Sequence, residues 1–305
     1  MSGAANLLSA ALSQSTVAIY HRAWQRFTTF SRSVSITPHL PALPSTIALY
    51  ISSLVSPPDN ASPATIATNL SAIAYWHKLF NYQDPTSTFI VRKIMQGVAK
   101  TKQAADLRIP ITPPMLASIL RSADTIAQTV YERVLVPAMF TSMFHAFMRI
   151  GEATLSPHNI QYHQVVLSDA AASITFMSFK HHHGHPITIN IPATGVPNSC
   201  PVQTIRTYML ARGTRPGPFF CNMDNTPITA QKFRTMLRFA LAHAGLSGFH
   251  ITPHSFRIGA ATYAAAMGLS SQQIQAMGRW KSSAFQKYVR ISSITIQPNN
   301  PSAST

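Results

Sequence analysis

One stretch near the end of the chain carries most of the information about its fold and chemistry. It reads ITPHSFRIGAATYAAAMG over residues 251–268 and continues as IQAMGRWKSSAFQKYVR over residues 274–290. His254 and Arg257 are three residues apart, so a helix would place both side chains on one face. Tyr288 follows in the second part of the stretch. A phenol that attacks a phosphodiester needs cationic groups near the phosphate and fixed geometry. An imidazole, guanidinium groups and a phenol that meet near one point would provide this arrangement.

The charge balance predicts a polyanionic partner. The 305 residues contain 24 lysines and arginines and 8 aspartates and glutamates, which gives a formal net charge of +16. The excess comes from a shortage of acids, with only Glu132 and Glu152 between Asp124 and Asp169. This shortage argues against two-metal nucleases and transposases, because their ions need several carboxylates. We therefore expect no metal and no other cofactor.

The composition also disfavours several other classes of protein. Cys200 and Cys221 are too few for a disulfide framework or a four-thiolate zinc site, and they predict thiols in a reducing compartment. No apolar run approaches the roughly 18 residues of a membrane span, so no membrane partner is expected. The N-terminal stretch lacks the basic region of a secretory signal. Its arginines, Arg22, Arg26 and Arg32, lie on a helical pattern, which disfavours a mitochondrial presequence.

The N-terminal part is predicted to be a four-helix unit without strands. Apolar residues recur at helical spacing, and the predicted helices span 14–32, 46–55, 63–79 and 89–100. Basic side chains on this unit are candidates for phosphate contacts, which position a duplex without reading its sequence; the alternative is a solvated charged face. The candidates are Arg22, Arg26, Arg92, Lys93, Lys100 and Lys102.

A polar, proline-containing stretch, KTKQAADLRIPITPP, predicts a boundary between two domains. The pattern beyond it predicts a mainly helical domain with a small sheet. The predicted helices are 115–122, 127–147, 202–212, 230–244, 255–267, 271–277 and 283–289, and the predicted strands are 165–167, 174–179 and 187–191. We predict a helical N-terminal domain over 1–104, a linker over 105–112, a second domain over 113–292 and a polar tail over 293–305.

The motifs of the second domain resemble the active-site segments of the tyrosine recombinases, the family of lambda integrase and Cre. FHAFMRIGEATLSP resembles the family's first arginine motif, and HSFR resembles its His-x-x-Arg. GRWKSSAFQKY is most similar to the eukaryotic branch in DIRS-like, Ngaro-like and Crypton mobile elements. The resemblance implies a mainly α fold with a small antiparallel β-sheet. A helical core-binding domain and an α+β catalytic domain would form a clamp around double-stranded DNA.

The resemblance assigns roles to four of these residues. Tyr288 is the expected nucleophile, although one of nine tyrosines can also serve in packing. The family's spacing to the tyrosine is often one residue longer; here Tyr288 comes eight residues after Trp280, which matches the eukaryotic branch. Arg149 and Arg257 are expected to hold the phosphate, because a guanidinium binds two phosphate oxygens at once. Glu152 is expected to orient a neighbouring basic group, and the alternative is a surface ion pair with Arg149.

Three further residues complete the predicted site. His254 is expected to donate to the phosphate or to accept the tyrosine proton, and a solvent-facing histidine is the alternative. Trp280 stands where the family has His or Trp; its indole N–H can donate one hydrogen bond, and a pure core role is the alternative. Lys180 is the expected acid for the leaving 5′-oxygen, because the family carries its lysine on a β-hairpin and Lys180 ends a predicted strand. A plain surface lysine is the alternative.

A run of histidines surrounds the turn after this strand. Such a run can bind a metal ion, but no acid or cysteine lies beside it to complete a site. We therefore prefer a hairpin tip that approaches DNA. The run consists of His181, His182, His183 and His185.

The resemblance implies a site-specific DNA recombinase or integrase that works through a 3′-phosphotyrosyl link, without ATP, metal or a small-molecule substrate. Integration or excision of a mobile element is the expected use. A homo-tetramer on two DNA sites is implied as well, with a nuclear location in a eukaryotic host and a cytoplasmic one otherwise. Two alternatives stay open: relaxation of DNA by a type IB topoisomerase-like enzyme, and a domesticated DNA-binding protein without catalysis.

Overall fold

The computed structural model describes residues 11–37, 39–102, 106–179, 184–195 and 199–290. The chain divides into two compact units, Met1–Asp106 and Leu107–Thr305. Each unit has a hydrophobic core of its own.

The first unit is helical throughout its described part. Serine caps begin two of its helices: Ser13 Oγ accepts from the N–H of Thr16, and Ser62 Oγ accepts from the N–H of Thr65. Prolines open two helices as well, at a position where a missing N–H costs nothing. The helices are α1 (Gln14–Ser33), α2 (Pro44–Val55), α3 (Pro63–Leu79) and α4 (Phe89–Thr101), with a 3-10 turn at Pro85–Ser87.

Aromatic and aliphatic side chains fill the core of the first unit. Phe27 and Ile47 are completely buried. The buried Tyr50 hydroxyl donates to Asn69 Oδ1 at 2.9 Å, and burial raises the pKa of Tyr50 to about 12. Its hydrogen bond keeps this phenol in the core without an unsatisfied polar group.

The second unit is mainly helical and contains one small sheet. Its long central helix contributes most of its residues to the core. The helices are α5 (Pro113–Arg121), α6 (Ala123–Ile126), α7 (Val130–His145), α8 (Ile150–Ala153), α9 (Pro201–Arg212), α10 (Ala230–His243), α11 (Pro253–Ala266) and α12 (Ser271–Gly278). Short 3-10 helices lie at Tyr162–Gln164 and Ser283–Tyr288.

The sheet has three antiparallel strands in sequence order, β1 (Val165–Leu167), β2 (Ala171–Phe176) and β3 (Ile187–Pro192). Ile174 pairs with Val165 on one side and with Ile189 on the other. Alternate residues of β2 are buried, so one face of the sheet packs on the core. The predicted fold class, mainly α with a small antiparallel sheet, is confirmed.

Several predicted elements differ in detail from the structure. The helix predicted from 127 begins at Val130, because the Thr129 side chain accepts the N–H of Glu132 at 3.1 Å and caps it there. The strand predicted over 174–179 begins earlier and ends at Phe176, since its first two alanines already pair with β3. The final predicted helix is a 3-10 helix.

The described ranges contain neither a helix suited to crossing a membrane nor a cluster of metal ligands. None of the helices that the structure describes is both long enough and apolar enough to cross a membrane. Likewise, the described histidines, cysteines and acids form no group of three or more that could hold a metal ion.

Candidate active site

Helix α11 carries two of the predicted site residues near its start. Pro253 opens the helix, and the Thr252 N–H is capped by Ser255 Oγ at 3.1 Å. His254 therefore lies in the first turn, where the helix dipole favours a negative charge, and Arg257 lies one turn later. Gly259 follows on this helix, and a Cβ there would lie 2.0 Å from the Ile111 carbonyl oxygen, so only glycine admits the Ile111 backbone at this distance.

Arg257 is a buried cation, with an exposed fraction of 1%. Its two terminal nitrogens donate to the carbonyls of Phe147, just beyond α7, and of Gly278, at the end of α12. Its guanidinium carbon lies 4.1 Å from the Trp280 ring centroid. Arg257 thus links the ends of two helices, where unpaired carbonyls favour a cation.

Arg149 lies at the start of α8, beside Glu152. Its N–H donates to Glu152 Oε2 at 2.8 Å, and its Nη1 donates to Oε1 at 3.0 Å. The side chain of Arg149 is 27% exposed, whereas that of Glu152 is only 2% exposed. The Arg149–Glu152 ion pair of the alternative interpretation is present, but its carboxylate is buried, so the pair does not lie on the surface.

Arg279 is a second partner of this carboxylate. Its Nη2 lies 2.7 Å from Glu152 Oε2, and its side chain is 0% exposed. Sequence reasoning assigned Arg279 no role of its own. The available signal was its place in GRW, directly before Trp280, in a motif already singled out. Neither the burial of Arg279 nor its pairing with Glu152 could be inferred from that motif, because Glu152 is 127 residues away in the chain.

Tyr288 packs among three predicted site residues. Its ring centroid lies 4.9 Å from that of Trp280 and 5.0 Å from that of His254. The Arg257 guanidinium carbon lies 5.8 Å from the Tyr288 ring centroid. The Tyr288 carbonyl accepts a hydrogen bond at 3.0 Å from Thr262 of α11, which ties this segment to the helix that carries His254.

Gly278 makes the close packing of Trp280 possible. A Cβ at Gly278 would lie 1.6 Å from a carbon of the Trp280 ring. The indole therefore covers the backbone at the end of α12 and reaches the Arg257 guanidinium and the Tyr288 ring. Trp280 consequently contacts the site while also packing against Phe147.

The site is strongly electropositive. Within the part of the chain that the structure describes, the guanidinium groups of Arg149, Arg257 and Arg279 surround the single carboxylate of Glu152. Burial, followed by the charges of the other two arginines, lowers the pKa of Arg257 to about 9. Burial also lowers the pKa of Arg279 to about 10, although Glu152 opposes this effect. An added anion would stabilise all three cations, so the arrangement suits a bound phosphate.

Lys180 lies outside the described residues, as do His181, His182 and His183. The residue before it, Phe179, is buried, and its ring lies 5.9 Å from the guanidinium carbon of Arg149. The segment that leads from β2 to Lys180 therefore lies beside the arginine cluster. The role of Lys180 itself stays a prediction.

The basic candidates of the first unit lie on two helices, except Lys102, which directly follows α4, and their settings differ. Arg22, on α1, is exposed, and the nearby Arg26 pairs with Asp59 at 2.5 Å. Lys102 donates to the Val55 carbonyl and to Asn60 Oδ1, both at 2.6 Å, so it is tied to its own unit. The remaining candidates are exposed on α4: Arg92, Lys93 and Lys100.

Solved structures with a similar fold are DNA recombinases. A lambda integrase dimer bound to a COC′ core site shares 14% identity with this chain at a TM-score of 0.65, covering 98% of this chain and 78% of that one. The XerH site-specific recombinase bound to difH substrate shares 16% identity at a TM-score of 0.65, covering 90% of this chain and 75% of that one. At these identities the likeness concerns the fold.

Sequence comparison gives the family. An integrase/recombinase xerD homolog from Selenomonas ruminantium is 23% identical over 277 residues, which are 88% of this chain and 78% of that relative. The model of the phage integrase family matches residues 111–293, well over half of the chain. The chain therefore belongs to the phage integrase family, the tyrosine recombinases, and is a site-specific recombinase that cleaves and rejoins DNA.

Proposed function

We propose that Tyr288 is the nucleophile and that Arg149 and Arg257 hold the scissile phosphate. The packing of the Tyr288 ring between His254 and Trp280, beside the excess of buried positive charge, carries this proposal. A phosphate that reaches the exposed side of Arg149 would meet an electropositive surface. The positive charges of this surface are in place before the phosphate binds.

The reaction proceeds by exchange of one phosphoester bond for another. The Tyr288 oxygen bonds to phosphorus while its proton passes to a neighbouring base; the proposed base is His254, whose ring centroid lies 5.0 Å from that of Tyr288. The bond from phosphorus to the 5′-oxygen breaks, and that oxygen takes a proton, for which Lys180 is the proposed donor. The product is a 3′-phosphotyrosyl link and a free 5′-hydroxyl. A 5′-hydroxyl from another strand reverses these steps, so no ATP is consumed.

The first unit is proposed to bind the same DNA through its basic helices, as a core-binding domain over 1–104. Arg22 and Arg26 of α1 line a groove of about 360 Å³ together with Thr65 and Thr68 of α3. Guanidinium and hydroxyl groups are suited to phosphate oxygens. Arg22 is the stronger candidate, since Arg26 already has the partner Asp59.

The biological setting is proposed on the resemblance of GRWKSSAFQKY to eukaryotic mobile-element recombinases. Under this proposal the protein integrates or excises a mobile element as a homo-tetramer on two DNA sites, in the nucleus of a eukaryotic host. A Tn1549 transposon integrase in complex with circular intermediate DNA is among the structures of similar fold, with a TM-score of 0.56 and 15% identity, covering 83% of each chain.

Covalent capture tests the proposed chemistry. The probe is a pool of duplexes randomised on both sides of a single 5′-bridging phosphorothiolate, whose thiolate leaving group cannot reverse the reaction. Wild-type protein is expected to form an adduct that survives denaturant, and sequencing the captured DNA gives a preferred duplex. Tyr288→Phe is expected to bind that duplex with similar affinity and to form no adduct, because only the phenolic oxygen is removed.

Other outcomes separate the alternatives. An adduct of normal yield in Tyr288→Phe places the nucleophile elsewhere and overturns the proposal. Binding without any adduct in the wild type indicates a non-catalytic DNA-binding protein. Relaxation of a supercoiled plasmid without strand exchange between duplexes indicates a topoisomerase-like activity.

A further inference from the structure

Arg279 connects four segments of the site from within the core. Its Nη1 donates to the Ala146 carbonyl at 3.0 Å, beyond the end of α7. Its Nη2 donates to Glu152 Oε2 at 2.7 Å, in α8. Its guanidinium carbon lies 3.7 Å from the ring centroid of Phe176, the last residue of β2. The backbone of Arg279 itself ends α12 and leads into Trp280.

This arrangement carries costs that space filling does not explain. Arg279 has a φ of 55°, in the left-handed region that a residue with a Cβ disfavours. Its buried Nε finds no hydrogen-bond partner in the described ranges. A buried ion pair is often no more stabilising than apolar side chains of the same volume. A methionine would fill this space at lower cost, so the charge and the fork of donors point to a task other than packing.

Glu152 connects Arg279 to Arg149 through hydrogen bonds to both residues. Its Oε2 accepts from Arg279 Nη2 at 2.7 Å and from the Arg149 N–H at 2.8 Å. Its Oε1 accepts from Arg149 Nη1 at 3.0 Å. With Oε2 held in this way, rotation of the carboxylate would break two hydrogen bonds. Oε1 therefore stays directed at the guanidinium of Arg149, whose other side faces solvent.

We propose that Arg279 is a positioning residue for DNA cleavage. It locks the Glu152 carboxylate, which holds the Arg149 guanidinium towards the phosphate, and its left-handed turn directs Trp280 and Tyr288 into the site. The proposal rests on the function proposed above for Arg149 and Tyr288. Arg279 acts through these residues and does not touch the reacting atoms.

The test compares catalysis with affinity on the duplex recovered by covalent capture. The variants are Arg279→Met, Arg279→Lys and the double variant Glu152→Gln/Arg279→Met. Thermal unfolding establishes a temperature at which each is folded, and single-turnover capture rates and duplex Kd values are measured there.

Arg212 provides the matched control. It is a buried arginine at the end of α9 that donates to the carbonyls of Phe219 at 3.0 Å and Pro218 at 2.9 Å and stacks over Tyr162. Arg212→Met also removes a buried guanidinium, but it leaves Glu152 and its partners intact. This variant is expected to unfold at a lower temperature and to capture DNA at the wild-type rate.

Arg279→Met is expected to capture DNA about 100-fold more slowly, with a Kd within about twofold of wild type, because a small misplacement of a catalytic group is this costly. Arg279→Lys keeps the charge and should recover part of the rate. The double variant removes a buried carboxylate charge that has lost one of its two cationic partners, so its thermal stability should recover relative to Arg279→Met. The capture rate of the double variant should not recover, because the carboxylate that held the Arg149 guanidinium is gone.

Two results overturn the positioning role while the proposed function stands: a wild-type rate in folded Arg279→Met, or a double variant whose rate recovers together with its stability. If Arg279→Met does not fold, Arg279→Lys decides, and an unchanged rate in that variant overturns the role. Absence of any adduct from the wild-type protein is a different result, since it removes the proposed function and the positioning role together.

Discussion

Two arginines of the second unit's site, Arg257 and Arg279, are buried, whereas the basic residues on the helices of the first unit are mostly exposed. Arg257 is 1% exposed and donates to backbone carbonyls at two helix ends, while Arg22 and Arg92 project into solvent. The exposed cations cost the fold little and are worth little to it. A buried guanidinium destabilises the fold unless hydrogen-bond acceptors or opposite charges lie around it. Burial therefore identifies which cations the fold was built to position, and exposed charge identifies only a surface that attracts a polyanion.

Arg257→Lys is expected to have the largest effect among the substitutions that test this contrast. Lysine keeps the charge but cannot donate to both the Phe147 and Gly278 carbonyls while stacking on Trp280. Covalent capture should slow by about 100-fold. The control is Arg206→Lys, an exposed arginine paired with the fully exposed Asp169, which should change the rate less than about twofold. Equal losses in the two variants would contradict the contrast.

Glycines offer a second comparison between the two units. Gly278→Ala would place a Cβ 1.6 Å from the Trp280 ring, and this overpacking should lower the free energy of unfolding by about 1–3 kcal/mol. Gly97→Ala, in α4 of the first unit, meets nothing within 4 Å and should raise that free energy by about 0.5–1 kcal/mol. Urea-induced unfolding measures both. A neutral Gly278→Ala would show that Trp280 moves freely.

The contrast between buried and exposed basic groups also predicts a pH dependence of stability, which His145 would produce. This side chain packs against Phe144 at the end of α7, and burial lowers the pKa of His145 from 6.5 to about 4. Between these values the unfolded chain binds a proton that the folded protein does not, so stability is lost as the pH falls from about 6.5 towards 4. The loss at pH 5 should be about 2 kcal/mol by linkage.

His145→Gln is expected to remove this part of the pH dependence. Replacement of the exposed His250 by glutamine is the control and should leave the dependence as it is. The measurement is the difference in the free energy of unfolding between wild type and variant at pH 5 and pH 7. A pH-independent difference for His145→Gln would be inconsistent with a buried, neutral imidazole.

The smallest effect is expected on the surface of the first unit. Arg22→Gln removes a cation that lines the α1–α3 groove, and it should weaken duplex binding about fivefold and reduce the salt slope by about 1. Arg32→Gln removes an exposed cation of the same helix that does not line this groove, and it should change binding less than about twofold. Identical changes in the two variants would mean that net charge alone, and no particular surface, attracts the DNA.

Several elements were predictable because local rules decide them. The helix predicted over 63–79 and the strand predicted over 165–167 have those bounds in the structure, where capping residues and apolar periodicity coincide. The first predicted helix of the second unit begins two residues early, at Pro113, because Thr112 provides the cap. The strand over 174–179 was placed too late, since the alanines that begin β2 give little apolar signal.

The candidate site was predictable as a set of residues, and its internal connections were not. Motifs pointed to Arg149, His254, Arg257, Trp280 and Tyr288, and the structure brings the last four into one cluster through ring and cation contacts. The sharing of Glu152 between two arginines could not be inferred from either motif. It depends on the contact between α8 and the end of α12, which lie far apart in the chain.

The amino-acid sequence by itself determined the helical periods, the caps, the excess of positive charge and the motifs that identify the family. These follow from properties of neighbouring residues or of the composition as a whole. Tertiary structure alone decided that Arg279 turns inward in a left-handed conformation and that Glu152 divides its oxygens between two cations. The reason is physical: the energy of a charge depends on its distance from other charges and on its separation from water, and folding sets both.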